Sequence, residues 1–146
     1  MQFLFAFFEN NFFRSWRCFP EKGTAGAVGR EGRYMNYHPA TVEIISQAAR
    51  KARELGHSYV GSAHFLLALS REGGSTGLVL RQLGVNPEVT EALTQLLYGL
   101  GTPDLPLPQG LTPEAKRLLR GAAGEARSQK VRQIQPQHLL LALARQ

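Results

Sequence analysis

The sequence predicts an all-α fold, built as a pseudo-two-fold repeat of a four-helix unit whose second copy is truncated. Two observations carry that expectation. Shifting the chain by 74 residues lays residues 39–72 over 113–146 without a gap, and 11 of these 34 pairs are identical. Ala48, Ala49, Ala52 and Arg53 fall on Ala122, Ala123, Ala126 and Arg127; His64, Leu66, Leu67, Ala68 and Leu69 fall on His138, Leu140, Leu141, Ala142 and Leu143. Self-similarity at a fixed offset marks a repeat architecture. The second observation is apolar spacing at a helical period in both copies, with no alternating strand pattern.

The first helix carries Val42, Ile45, Ala49 and Ala52 on one stripe and ends at Leu55-Gly56, where glycine accepts a left-handed cap. A short second helix opens at Ser62, whose hydroxyl is placed to cap it, and runs through Phe65-Leu66-Leu67-Ala68-Leu69. Apolar nearly all round, it belongs at the buried centre. A third helix covers residues 76–83 and stops at Gly84. The fourth opens at Asn86-Pro87-Glu88 and is expected to turn Val89, Leu93, Leu96 and Leu97 inward. Residues 99–110, GLGTPDLPLPQG, read as a linker. The second copy starts at Thr112-Pro113-Glu114, with a Thr N-cap, a Pro at the first helical position and an acid in the first turn.

Repeat one therefore spans residues 36–99 and a partial repeat two spans 111–146. Only eight residues follow His138, so half of the second unit is expected to be absent. That would leave Leu139, Leu140, Leu141 and Leu143 uncovered, with self-association through them as the expected consequence unless the first unit or the leader shields them. Residues 1–34 fit no targeting class. The apolar run at residues 3–8 is short for a signal peptide, lacks a basic region before it, and is far below the roughly 20 residues of a membrane span. These residues read as a disordered leader ahead of a biological start at Met35, with an aromatic anchor peptide as the alternative.

Composition narrows the function classes. Hydrophobic residues at 43% and charged residues at 19% fit neither a disordered chain nor a membrane protein. The net charge is +6, but basic and acidic residues interleave along the helices, which reads as a solvated face and not a phosphate-binding stripe. A lone Cys18 excludes an internal disulfide and suits a reducing, cytoplasmic setting. His38, His57, His64 and His138 lack metal-ligand spacing, and the only Asp, Asp104, lies in the linker. No Gly-Lys pair exists to form a phosphate-binding P-loop. No catalytic residue, metal or cofactor is assigned.

The run from Leu55 to Leu69, LGHSYVGSAHFLLAL, resembles the LGHxYVGTEHLLLGL signature of the Clp N-domain, or Clp repeat, family. A second family motif, TPxAKRxLxxAxxEAR, is matched from Thr112-Pro113-Glu114-Ala115-Lys116-Arg117 through Glu125-Ala126-Arg127. The resemblance covers residues 36–146 and gives Gly56, Gly61, Ser62, His64 and His138 structural places in the motif. It implies a pseudo-symmetric helical domain at the N-terminus of ATP-driven unfoldases such as ClpC and ClpA, receiving adaptors and, in some members, phosphoarginine-marked substrates. Members that bind phosphoarginine carry a Glu just before the motif His of each repeat and a Thr at the head of each first helix. Here those positions are Ala63 and Gln137, and His38 and Thr112. A neutral amide gives about half the strength of a charge-assisted bond, so phosphoarginine binding is expected to be weak and any residual site to lie in the second repeat. The leading expectation is a protein-interaction module for Clp adaptors, Clp ATPase subunits or unfolded substrates, without the ATPase itself and without nucleic-acid or membrane partners. A truncated non-functional fragment or a regulatory decoy is the alternative, and nucleic-acid binding a weaker third.

Overall fold

The computed structural model describes residues 36–102 and 110–146, so the expectations about residues 1–34 and most of the linker lie outside the described residues. Two long helices set the frame, α1 (Pro39–Glu54) and α5 (Pro113–Ser128). Each begins with a proline at the first helical turn, where the missing N–H costs nothing. Thr112 Oγ1 accepts the Ala115 N–H at 3.2 Å, and His38 Nδ1 accepts the Ala40 N–H at 3.1 Å. The histidine at the head of α1 thus does the capping work of the threonine at the head of α5. Each long helix buries its alanine-rich stripe: Ile44, Ile45, Ala48, Ala49 and Ala52 in α1, and Ala115, Leu118, Leu119, Ala122 and Ala126 in α5. Small residues on these stripes let the neighbouring helices approach closely.

The short helix α2 (Ser62–Arg71) occupies the centre, packed by α1, α3 (Ser75–Gln82), α4 (Pro87–Tyr98) and α6 (Pro136–Ala144). Its Phe65, Leu67, Ala68 and Leu69 are wholly buried. Each of the three large side chains contributes roughly 1.5–3 kcal/mol of transfer free energy.

Four two-residue strands interlock the repeats. β1 (Asn36–Tyr37) pairs in parallel with β4 (Gln133–Ile134), and β2 (Tyr59–Val60) pairs in parallel with β3 (Gly110–Leu111). Adding 74 to β1 and β2 yields β3 and β4 (36 + 74 = 110; 59 + 74 = 133), so the pseudo-two-fold exchanges the two pairs. The same offset relates the His38 N–H to the Ile134 carbonyl and the Thr112 N–H to the Val60 carbonyl, both at 3.0 Å. Thr41 Oγ1, fully buried, also donates to the Ile134 carbonyl at 2.7 Å. Two-residue strands carry no period of their own, which is why the all-α expectation missed them.

Three packing expectations are corrected. Helix α4 turns Thr90 and Thr94 inward and leaves Val89, Leu93, Leu96 and Leu97 exposed. Its buried threonines satisfy themselves on their own helix: Thr90 Oγ1 donates to the Asn86 carbonyl and Thr94 Oγ1 to the Thr90 carbonyl, at 2.8 and 2.7 Å. A satisfied hydroxyl can be buried, so polarity did not fix the inward side. Helix α6 is not left open either. Leu139 is fully buried, Leu140 and Leu143 are half-buried, and only Leu141 is exposed, because α5 and α2 pack across it. The premise for self-association through these leucines is therefore removed. Finally, Ser62 makes no cap hydrogen bond; Gly61 is the N-cap residue of α2, and the His64 ring takes its N–H.

Candidate functional site

The strand exchange decides where the expected ligand residues sit. Parallel pairing of β1 with β4 brings the head of α1 beside the head of α6, so His38 and Gln137 line one cleft of about 260 Å³. The head of α5 lies beside the head of α2, where the Thr112 side chain stands 3.6–3.8 Å from where a Cβ on Gly61 would be. Ala63 follows within the first turn of that helix. Each pair thus draws one residue from each repeat. Glu72, which the sequence reading did not single out, also lines the His38 cleft and accepts the Gly77 N–H at 3.0 Å. No sequence spacing connects Glu72 to His38; only the fold does.

The motif histidines form a hydrogen-bonded chain. The Gly61 N–H donates to His64 Nδ1 at 2.9 Å, so the neutral ring carries its proton on Nε2. His64 Nε2–H then donates to His57 Nδ1 at 2.8 Å, and His57 Nε2–H donates to the Gly99 carbonyl at 2.8 Å. The ring of Tyr98 stacks on His64. This chain ties the α1–α2 turn to the C-terminus of α4. Burial, reinforced by the neighbouring His57, lowers the His64 pKa to about 4. In the second repeat the Gln135 N–H donates to His138 Nδ1 at 2.8 Å, and His138 Nε2–H donates to Gln129 Oε1 at 3.0 Å. Burial lowers the His138 pKa, opposed in part by the charge of Glu125. His57, His64 and His138 each spend both ring nitrogens on these bonds. Among the described residues no group of three or more His, Cys, Asp or Glu is placed to hold a metal ion.

Most of the exposed large apolar side chains lie on α3 and α4 and the residues just past their ends. Leu83, Leu96, Leu97 and Leu100 are each more than 70% exposed, at 73%, 79%, 76% and 76%. Leu78, Val79, Val89, Leu93 and Tyr98 add to them. The α4 members recur at positions 89, 93, 96 and 97, one helical stripe pointing away from the core, and Leu100 follows just past the helix end.

Two helical repeats, interlocked by exchanged strands around a central apolar helix, define a repeat domain with exposed apolar side chains on α4. The chain belongs to the Clp repeat (R) N-terminal domain family, which matches residues 36–146. It is 32% identical over 126 residues to the chaperone protein ClpC1 of Arabidopsis thaliana chloroplasts, covering 86% of this chain and 14% of that protein. It is 36% identical over 106 residues to an ATP-dependent Clp protease ATP-binding subunit ClpA homolog of Guillardia theta, covering 72% of this chain and 13% of the relative. The chain thus spans only about a seventh of the curated relatives it matches. The fold resembles the N-terminal domain of the chaperone ClpD from Arabidopsis thaliana, with a TM-score of 0.63 at 18% identity over 74% of this chain and 75% of that one. The Hsp104 N-terminal domain from Candida albicans gives 0.57 at 20% identity over 74% of this chain and 73% of that one.

Proposed function

We propose that this domain docks adaptor proteins or unfolded segments on behalf of a Clp-type ATPase and performs no catalysis of its own. The observation that carries the reading is the outward leucine face of α3 and α4. Several large apolar side chains left exposed on neighbouring positions of one helix mark an interaction site more often than chance exposure. A helix that buries threonines and presents leucines spends its apolar surface on a partner, not on its own core. Membership of the Clp repeat family supplies the kind of partner. Replacing Leu96 and Leu97 together by Lys is expected to reduce retention of a Clp ATPase or its adaptors in a pull-down by about tenfold or more. Both side chains lie in solvent, so the variant should keep its helical circular dichroism. Undiminished capture by a folded double variant would remove the reading.

Free phosphoarginine is expected to bind weakly, because Ala63 and Gln137 offer no carboxylate to its guanidinium. Restoring both acids, Ala63→Glu with Gln137→Glu, should tighten binding, each adding a charge-assisted contact of about 1.5–3 kcal/mol at best. Calorimetry decides it; tight binding by the unaltered domain would mean that these two acids are dispensable.

A further inference from the structure

The charges that interleave along the sequence sort by sign on the exposed side of helix α5. At 3.6 residues per turn, Gly124 stands opposite the buried stripe of Ala115, Leu118, Leu119, Ala122 and Ala126. Lys116, Arg120 and Arg127 gather on one flank of it, all exposed, and Lys130 and Arg132 are exposed in the segment that follows the helix. The acids of the helix fall on the other flank. There Glu125 pairs with Arg145, and Glu114 takes Arg117 at 3.3 Å. Among the described residues no ion pair engages Lys116, Arg127, Lys130 or Arg132.

Two glycines interrupt this helix, and only one has an internal reason. A Cβ on Gly121 would come within 3.1 Å of the Ala142 Cβ, so that glycine admits α6. Among the described residues a Cβ on Gly124 would meet nothing within 4 Å. Glycine weakens a helix interior relative to alanine, and the fold recovers nothing for it at this position. The first repeat shows that the architecture does not require the arrangement. Subtracting 74 from Lys116, Arg117, Arg120 and Gly124 gives Val42, Glu43, Ser46 and Arg50.

We propose that this flank of α5 docks an acidic segment of a partner protein, gripped by Lys116, Arg127 and Lys130 and admitted close to the bare backbone at Gly124. Lys and Arg side chains donate only, so the complementary surface is one of anionic acceptors. Helix α5 and the segment that follows it, through Arg132, carry no aromatic side chain. Surfaces for single-stranded nucleic acid interleave aromatics for base stacking, so an acidic polypeptide is the better fit. The proposal stands on charge geometry and is independent of the leucine face of α3 and α4.

Fluorescence anisotropy on the full chain tests it, with a short labelled poly-glutamate peptide and a labelled single-stranded oligonucleotide of equal charge. The peptide is expected to bind at low salt and to be released as salt rises. Lys116→Glu with Arg127→Glu should lower its affinity about tenfold or more, while Arg50→Glu with Arg53→Glu, the same net change on α1, should stay within about twofold. Gly124→Leu should weaken binding without lowering the melting temperature, since it adds helix propensity at an open position. Equal loss from both reversal pairs, tighter binding of the oligonucleotide, undiminished affinity in Gly124→Leu, or no peptide binding at low salt would each overturn the proposal.

Discussion

Alanine at Gly101 is expected to destabilise the domain by about 2–4 kcal/mol, combining an overpacked contact with lost hydrogen bonds. The segment after α4 lies directly on the turn that ends α1. The Gly101 N–H donates to the Leu55 carbonyl at 2.9 Å, and a Cβ on Gly101 would stand 1.8 Å from the Gly56 carbonyl oxygen. Gly56 is constrained from its own side: its φ is +72°, and a Cβ there would lie 2.6–2.8 Å from backbone atoms of Gly101 and Thr102. Backbone cannot swing aside as a side chain can, so residues 99–102 must lift, and the His57 bond to the Gly99 carbonyl goes with them. The two substitutions remove one contact, so Gly56→Ala with Gly101→Ala should cost less than their sum. The second repeat supplies the control. Lys130 occupies the position equivalent to Gly56 (56 + 74 = 130) and holds φ at +57° without a glycine. Lys130→Gly should therefore be neutral or stabilise by up to about 1 kcal/mol. Urea unfolding measures all four variants. A Gly101→Ala midpoint equal to that of the parent would mean that the two segments do not touch as described.

The features legible in the sequence were those with a period or a local signature. The stripes of α1 and α5, the Pro-containing helix starts and the cap at Thr112 follow from spacing and residue type alone. Helix α4 shows where that reasoning stops. Its apolar stripe was visible, but a stripe states which residues share a face, not which way the face points. The direction was set by threonines whose hydroxyls bond to their own helix. The pairing of His38 with Gln137 was hidden for another reason, since the strands that cause it are two residues long and partner across the repeats. His57 and His64 stand seven residues apart in the sequence. The turn through Gly56 closes that gap to a 2.8 Å hydrogen bond. Charges on α5 look mixed in order and separate only when wound onto the helix. Distance along the chain is a poor guide wherever a turn or an exchanged strand intervenes.

Acidification below the ordinary histidine range is expected to unfold the domain cooperatively, with His64 as the main cause. Its ring is 3% exposed and its pKa falls from 6.5 to about 4, first because burial disfavours the charged form and second because His57 lies beside it. Above pH 6.5 neither the folded nor the unfolded chain protonates this ring, and its contribution to stability is complete. Between pH 6.5 and about 4 the unfolded chain binds a proton that the folded chain refuses, so stability falls with pH. The loss approaches about 3 kcal/mol at pH 4, a large fraction of a total of about 5–15 kcal/mol. His138 shifts in the same direction and adds to it. The geometry explains why the proton is refused. His64 Nδ1 is already committed to the Gly61 N–H, and a proton there would face that donor across 2.9 Å. Protonation of His64 breaks the chain that holds the α1–α2 turn to Gly99. Urea midpoints taken in steps from pH 7.5 to 4.5 should decline through this window in the parent. The slope should shrink in His64→Gln, whose side chain can still accept from Gly61 and does not titrate. That variant starts from a lower stability at pH 7.5, by about 1–3 kcal/mol, because a shorter side chain leaves the His57 partner unmade. A parent whose stability is level across the window, or a His64→Gln variant with an unchanged slope, would show that this ring is not the titrating group.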